Sequence, residues 1–238
     1  MAEKEKHSKA IHWFRKNLRL HDNPALCEAL NGSSEVLGLY VLPPCIPADG
    51  KLNANQWNFL MECLEDLERG LRCLGCQLLV IQGYPVQVIP KLLSNLEVSK
   101  LTFETENEPF GKQRDAVVTH LAESAGVKVV SCSSHSLYNT ECVIKANCNK
   151  VPVLFTDFLD VISTIGPPEF PVKTVNEESF PTLINIENKF IDYHIPSLED
   201  IGIQKSNVTC RGIWHGGETV ALKKLEDLLK EVCFNKMF

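Results

Sequence analysis

Five short apolar runs, each separated from the next by a helical pattern, fill the first 131 residues and leave few folds open. The runs are Ala10–Phe14, Val36–Leu42, Gln77–Gln82, Lys100–Glu104 and Val127–Ser131. Most are nearly continuous in apolar residues rather than alternating, the pattern of parallel strands buried on both faces. Between them, Asn23 and Pro24 form a good helix start, N-cap followed by a proline in the first turn. A longer helix is expected from Asn53 to Leu74. Trp57, Leu60, Met61, Leu64, Leu67, Leu71 and Leu74 fall at steps of three and four, and Gly75 is placed to stop it. Helices over Pro85–Leu93 and Pro109–Ala125 follow, the second stopped by Gly126. Five strands joined by four helices with right-handed crossovers give an α/β fold, a doubly wound five-stranded parallel sheet.

The pattern changes after Ser131. Residues 132–208 hold short helical stretches such as Val153–Ile165 and proline-rich pieces such as GPPEFPV. A segment this long is not an ordinary loop, so it is expected to pack over the sheet domain as a connector. A new amphipathic helix over Glu218–Lys230 carries leucines at 222, 225, 228 and 229. Such a helix needs a partner for its apolar face, and the chain reads as stopping at the threshold of a second domain.

Composition narrows the function. The net charge of −6 argues against a chain built mainly to wrap nucleic acid, though a local basic patch stays open. No apolar run reaches the roughly 18 residues a membrane span needs, and the opening MAEKEKHSKA lacks the apolar stretch of a secretory signal. A cytosolic or nuclear protein is expected, in which ten cysteines are free thiols rather than a disulfide framework. Cys73 and Cys76 form a C-x-x-C without a second pair at zinc spacing, and they read as small apolar fillers. Glycine-rich phosphate cradles, G-x-S-x-G and H-E-x-x-H are all absent from the sequence.

The segment that stands out is Trp13–Leu26, WFRKNLRLHDNPAL, at the exit of the first strand. Open α/β sheets bind ligands at such exits. Arg15, Lys16, Arg19 and His21 make the loop basic. Two readings stay open: the loop meets an anion, or its arginines pair with carboxylates and fix the loop against the connector.

Phe14–Leu26 is similar to the opening signature of the cryptochrome/photolyase family. Leu101–Ala116, LTFETENEPFGKQRDA, resembles the version in animal cryptochromes and (6-4) photolyases. NANQWNFLMECLEDLERGLR (53–72), AGVKVV with SHSLYN (125–139), YHIPSLEDIG (193–202) and WHGGETVALKKLE (214–226) continue the resemblance in family order. It implies an α/β domain at 1–131, a wrapping interdomain connector at 132–208, and the truncated start of a helical FAD-binding domain at 209–238. In the family the flavin bowl lies in that helical domain. FAD is therefore not expected on this chain, which should neither hold it in the family manner nor repair DNA; no catalytic or metal residue is assigned.

The resemblance implies the N-terminal part of an animal-type cryptochrome, a flavoprotein blue-light photoreceptor or circadian transcription regulator of nucleus and cytoplasm, with clock or signalling proteins as partners. The alternative parent is a (6-4) photolyase, a light-driven lyase acting on DNA. The family's remaining pocket, for an antenna chromophore of unassigned identity or for a partner, would be lined by Arg15, Glu108, Phe110, Gly111 and Arg114. Arg114 could grip a carboxylate and Phe110 could anchor an interface. Alternatively, Arg114 pairs with Glu108 or Asp115 and Phe110 packs under the connector. Three positions depart from the family's usual pattern. Pro43-Pro44 stands where Asp-Pro is usual, and Gln56 and Asn58 flank Trp57 where arginines are usual. A carboxylate is lost at the first, and the two lost cations weaken the expectation of an anionic antenna or an acidic partner loop there.

Overall fold

The computed structural model describes residues 8–44, 53–176, 179, 182–183, 194–204 and 214–235. Its centre is a parallel sheet of β1 (Lys9–Phe14), β2 (Glu35–Leu42), β3 (Leu78–Gln82), β4 (Lys100–Glu104) and β5 (Lys128–Cys132), in the order β3-β2-β1-β4-β5. All five expected strands are present, each within a residue of its expected bounds. A short strand in the connector was not anticipated: β6 (Thr182–Leu183) pairs in parallel with the first two residues of β2.

Helices α1 (Pro24–Leu30), α2 (Ala54–Cys73), α3 (Pro85–Asn95) and α4 (Pro109–Ser124) link the strands. Their ends follow from sequence. Asn23 accepts a hydrogen bond from the Leu26 amide at 3.0 Å and so caps α1. Asn53 and Gln56 close a reciprocal capping box on α2. At its other end Gly75 takes φ +73°, and Cys76 N–H and Gly75 N–H donate to the carbonyls of Leu71 and Arg72. Gln56, one of the departures from the family pattern, therefore serves as a helix cap.

Strand alternation sorts the core into two layers. Ile11, Trp13, Leu37, Leu39, Leu79, Leu101 and Phe103 face α3 and α4, where Ile89, Leu92, Val118 and Ala122 meet them. Phe14, Leu42, Leu78 and Val80 face α2, which contributes Trp57, Met61, Leu64, Leu67 and Leu71. Val175, Leu198 and Ile201, from the chain after β5, join this second layer. His12 also lies inside, between Thr102 Oγ1 at 2.9 Å and Asn23 Nδ2 at 3.4 Å. Burial, helped by the charge of Arg15, pushes its pKa down to about 3, so the ring is neutral. Cys76 is buried with its Sγ 3.4 Å from the Val36 carbonyl, whereas Cys73 is exposed; the filler reading fits Cys76 alone.

Beyond the sheet, α5 (Thr140–Ala146) and α6 (Phe155–Ile165) pack on each other, and α7 (Glu218–Asn235) touches α2. The boundary expected at 208/209 lies outside the described residues, as do Cys45 and Cys210.

Candidate functional site

In this strand order the chain runs outward in both directions from β1 and β4, so the crevice at the carboxyl ends of that pair is where a doubly wound sheet offers a site. Four carboxylates and four cations converge there. Arg15, the first residue past β1, is inserted beside the ring faces of Trp13 and Phe103, with its guanidinium carbon 4.7 and 4.9 Å from their centroids. Its Nη1 donates to Asp115 Oδ1 at 2.5 Å, and its Nε lies 3.6 Å from Glu106 Oε1. Arg114 covers the same Trp13 ring at 5.0 Å and donates to Glu106 Oε1 at 2.9 Å and to Asp115 Oδ1 through Nε and Nη2.

Burial lowers the pKa of Arg15 and works in the same direction on Arg114, but hydrogen bonds to Glu106 and Asp115 outweigh it at Arg114, whose pKa is raised. At the rim, Lys16 donates to Glu108 at 2.5 Å and holds that exposed carboxyl below its ordinary range. Deeper on the other side, Glu104 accepts from Asn17 Nδ2 at 3.0 Å and from the Ser134 hydroxyl, with Arg19 and His135 at 3.9 and 4.0 Å.

The sequence-derived residues thus divide. Arg15 and Arg114 lie together at the crevice and pair with Glu106 and Asp115, while Arg15 Nη2 is buried without a hydrogen-bond partner. Arg114 takes Asp115 as one partner, as one reading had it; its other partner is Glu106 and not Glu108. Phe110 does not pack under the connector: it is 78% exposed, on the first turn of α4. Glu108 is exposed beside it. Gly111 is required by close approach, since a Cβ there would collide with the Glu106 carboxylate and lie 2.8 Å from its Cβ. Of the two readings of the basic loop, pairing with carboxylates describes the observed contacts. Glu106 and Glu104 were missed by sequence reasoning, as was the pairing of Asp115 with Arg15. The available signal was that three cations gathered at a strand exit call for carboxylates to pair with them.

The same loop is fastened from two further sides. Glu218, at the start of α7, accepts from the amides of Leu20 and His21 at 2.7 and 2.8 Å. Asp22, at φ +47°, accepts from the Val172 amide at 2.9 Å, and His21 Nδ1 is 2.5 Å from Thr174 Oγ1. Connector and α7 therefore both hold the loop that carries Arg15.

The model of the DNA photolyase family matches residues 10–174, a span that runs from β1 through this crevice into the connector. The chain belongs to that family. Chicken (Gallus gallus) cryptochrome-2 is 41% identical over 224 residues, which are 93% of this chain and 38% of the relative. The chain thus spans little more than a third of the curated relatives it matches. The cryptochrome of Synechocystis sp. PCC6803 superposes with a TM-score of 0.75 at 24% identity, over 93% of this chain and 46% of that one. The archaeal photolyase from Sulfolobus tokodaii, a structure with two FAD molecules, gives 0.69 at 18% identity over 90% and 45%. Both of these likenesses concern the fold.

Members of the family bind FAD. In the crevice of this photolyase-family domain the guanidiniums of Arg15 and Arg114 hold carboxylates, Arg15 Nη2 is buried without a hydrogen-bond partner, and Glu106 fills the space above Gly111, where it blocks a close backbone approach by a phosphate.

Proposed function

We propose that this chain is the α/β half of an animal-type cryptochrome and works as a protein-docking module. The whole protein would be a flavoprotein blue-light receptor or circadian transcription regulator of nucleus and cytoplasm. The observation that carries the reading is Phe110, an aromatic ring left 78% exposed on the first turn of α4, beside the ion pairs that Arg15 and Arg114 make with Glu106 and Asp115. An exposed aromatic contributes little to folding, and aromatic side chains are enriched at interfaces. The partners fitting this reading are clock transcription factors or other signalling proteins.

In this reading residues 1–131 are the docking domain, 132–208 the connector and 209–238 the opening of the helical FAD-binding domain, where the flavin would sit. The outer faces of α6 and α7 support the division. Phe155 and Leu159 on α6, and Leu222, Leu225, Leu228 and Leu229 on α7, are all exposed, the surface a helical domain would cover. Among the described residues no helix is long and apolar enough to cross a membrane. The (6-4) photolyase alternative gains nothing at this face: Arg15, Lys16, Arg19 and Arg114 each have a carboxylate within 4 Å, which leaves little free charge for DNA phosphates.

Binding of the purified chain to candidate clock transcription factors tests the reading. Phe110→Ala should lower affinity tenfold or more with far-UV circular dichroism unchanged. Unchanged affinity would remove Phe110 from the interface and refute the docking role. The absorption spectrum of the purified chain should show no bound flavin, and stoichiometric FAD would contradict the assignment of the flavin to the helical domain.

A further inference from the structure

At the end of the sheet opposite the crevice, α1 passes into β2 through Asn31, Gly32 and Ser33. Asn31-Gly32 is the one Asn-Gly step in the chain. Both residues are exposed, Gly32 takes φ +68°, and a Cβ built on it would meet nothing within 4 Å. The turn is tied on either side of the step: Asn31 N–H donates to the Cys27 carbonyl at 3.0 Å and Ser33 N–H to the Leu30 carbonyl at 3.3 Å. Among the described residues, Gly32 N–H and the Asn31 side-chain amide have no hydrogen-bond partner. Lys100, the first residue of β4, reaches the same turn. It is 9% exposed, and its ammonium donates to the carbonyls of Asn31 at 2.5 Å and Glu28 at 3.0 Å, two neutral acceptors at the carboxyl end of α1. Burial, then the charge of Lys128, lowers its pKa, as befits an ammonium held by uncharged groups.

The oxygen that Lys100 holds and the Gly32 nitrogen belong to one peptide bond. A cation on that oxygen stabilises the negative charge that spreads over the peptide when the nitrogen gives up its proton. We infer that Asn31-Gly32 is a self-modification site, in which Lys100 activates the intervening peptide so that the Gly32 nitrogen closes on the Asn31 side chain and the chain acquires an isoaspartate at position 31. In the first step solvent takes the Gly32 proton, the nitrogen bonds to Asn31 Cγ, and the Cγ–Nδ2 bond breaks. The departing nitrogen takes up a proton from solvent and leaves as ammonia, and a succinimide ring remains. In the second step water adds to the former main-chain carbonyl carbon, the bond from that carbon to the ring nitrogen breaks, and the chain continues through Cγ. The carboxylate set free is built on the carbonyl that Lys100 holds, so a neutral acceptor becomes a charged one and the contact a charge-assisted hydrogen bond. Water adding at Cγ instead gives aspartate and leaves the Lys100 acceptor neutral. Ring closure turns the peptide about the Asn31 Cα–C bond, at ψ 110° in this structure. A carbonyl oxygen lies about 1.2 Å from its carbon, so the turn moves it by about 2 Å at most, which the flexible four-carbon stem of lysine can follow.

The intact chain, incubated at neutral pH and sampled over time, tests this by peptide mapping in a mass spectrometer, with electron-transfer fragmentation separating isoaspartate from aspartate. A synthetic peptide of residues 27–36 gives the product ratio without Lys100. Asn31 should convert in the intact chain with a larger isoaspartate share than in the peptide. Lys100→Met keeps the length and removes the charge. It should slow conversion about fivefold, short of the roughly hundredfold of an enclosed oxyanion donor because this turn is open to water, and return the product ratio to that of the peptide. Unchanged rate and ratio in Lys100→Met overturn the inference, as does an intact chain whose Asn31 stays an amide while the peptide converts. Should Lys100→Met fail to fold, the intact chain in urea decides. Unfolding takes Lys100 away from the turn, so the isoaspartate share must fall to the peptide's value, and a share that urea leaves unchanged overturns the inference.

Discussion

Helices α2 and α7 read alike in sequence and live differently in the molecule. Both are long and carry apolar residues at steps of three and four. α2 buries Trp57, Met61, Leu64, Leu67 and Leu71 against the sheet. Every residue of α7 from Ala221 to Lys230 is exposed. What fixes α7 is its first turn. Gly216 N–H donates to Glu62 Oε2 at 2.6 Å, Gly217 N–H to Cys63 Sγ at 3.2 Å, and Thr219 N–H to Asp66 Oδ2 at 2.9 Å. All three acceptors lie on α2. Gly216 approaches so closely that a Cβ would strike the Phe59 carbonyl. Apolar spacing therefore identifies a helix without saying what covers it. α2 is held by area removed from water and α7 by capping hydrogen bonds supplied by its neighbour.

The largest effect is expected from the area-held helix. Leu71 is fully buried and packs within the layer formed by Phe14, Leu64 and Leu78. Leu71→Ala should destabilise the chain by about 3 kcal/mol, from lost transfer energy and the cavity left behind. Urea denaturation measures this directly. A loss below about 1 kcal/mol would mean that α2 is not held by burial, and the contrast with α7 would fail.

Acid loads the same core. His12, stacked edge-on against Phe14 at 4.3 Å, is buried and neutral, with its pKa pushed down to about 3. In the unfolded chain an ordinary histidine takes up a proton near pH 6.5. As pH falls below that value the unfolded state gains a proton that the folded state refuses, so stability drops by about 1.4 kcal/mol per pH unit until the folded pKa is reached. Between pH 7 and pH 5 the contribution is about 2 kcal/mol. Comparison with His12→Gln isolates it from other titrating groups. If the variant loses stability over that interval as steeply as the parent, His12 is not the buried neutral ring described here.

These contrasts also show what the sequence could yield. The sheet was legible because continuous apolar runs such as Val36–Leu42 and capping signals such as Asn23-Pro24 and Gly75 are local, and local signals survive without knowledge of neighbours. β6 was not legible: two residues of pairing to β2 depend on where the connector happens to pass. At the crevice, the basic loop announced itself through Arg15, Lys16 and Arg19. Its partners did not, because Glu106 and Asp115 lie about a hundred residues away and only the pairing of β1 with β4 brings them to Arg15. The exposure of Phe110 was equally hidden, since a phenylalanine beside a helix start reads as core or as surface until the rotation of α4 is known.

A smaller effect tests the capping side of the contrast. The residue before α7 is Gly217, whose carbonyl accepts the Ala221 amide but which has no side chain to cap the next free N–H. Asp66 supplies the missing acceptor from α2, to the Thr219 amide that an N-cap side chain ordinarily reaches. Asp66→Ala should cost about 1 kcal/mol locally. Hydrogen exchange in the first turns of α7 should quicken about fivefold, with protection in the central strands little changed. Equal acceleration in the strands would show that Asp66 supports the core and not the cap.

The smallest expected effect lies on the exposed face. Leu225 is 52% exposed, and glutamine matches leucine closely in helix propensity, so Leu225→Gln changes surface character and little else. With α7 uncovered, the global stability of the chain should move by no more than about 0.5 kcal/mol, the usual range for surface substitutions. The same substitution in a protein whose helical domain rests on this face should cost about 2 kcal/mol or more, since a buried leucine would then be replaced by a group whose amide must be satisfied. The pair of measurements carries more than either alone. A small loss in the present chain with a large one in the longer context assigns α7 to an interdomain surface. A large loss in the present chain would mean that α7 is already covered in solution, and the difference between α2 and α7 would be one of partner rather than of exposure.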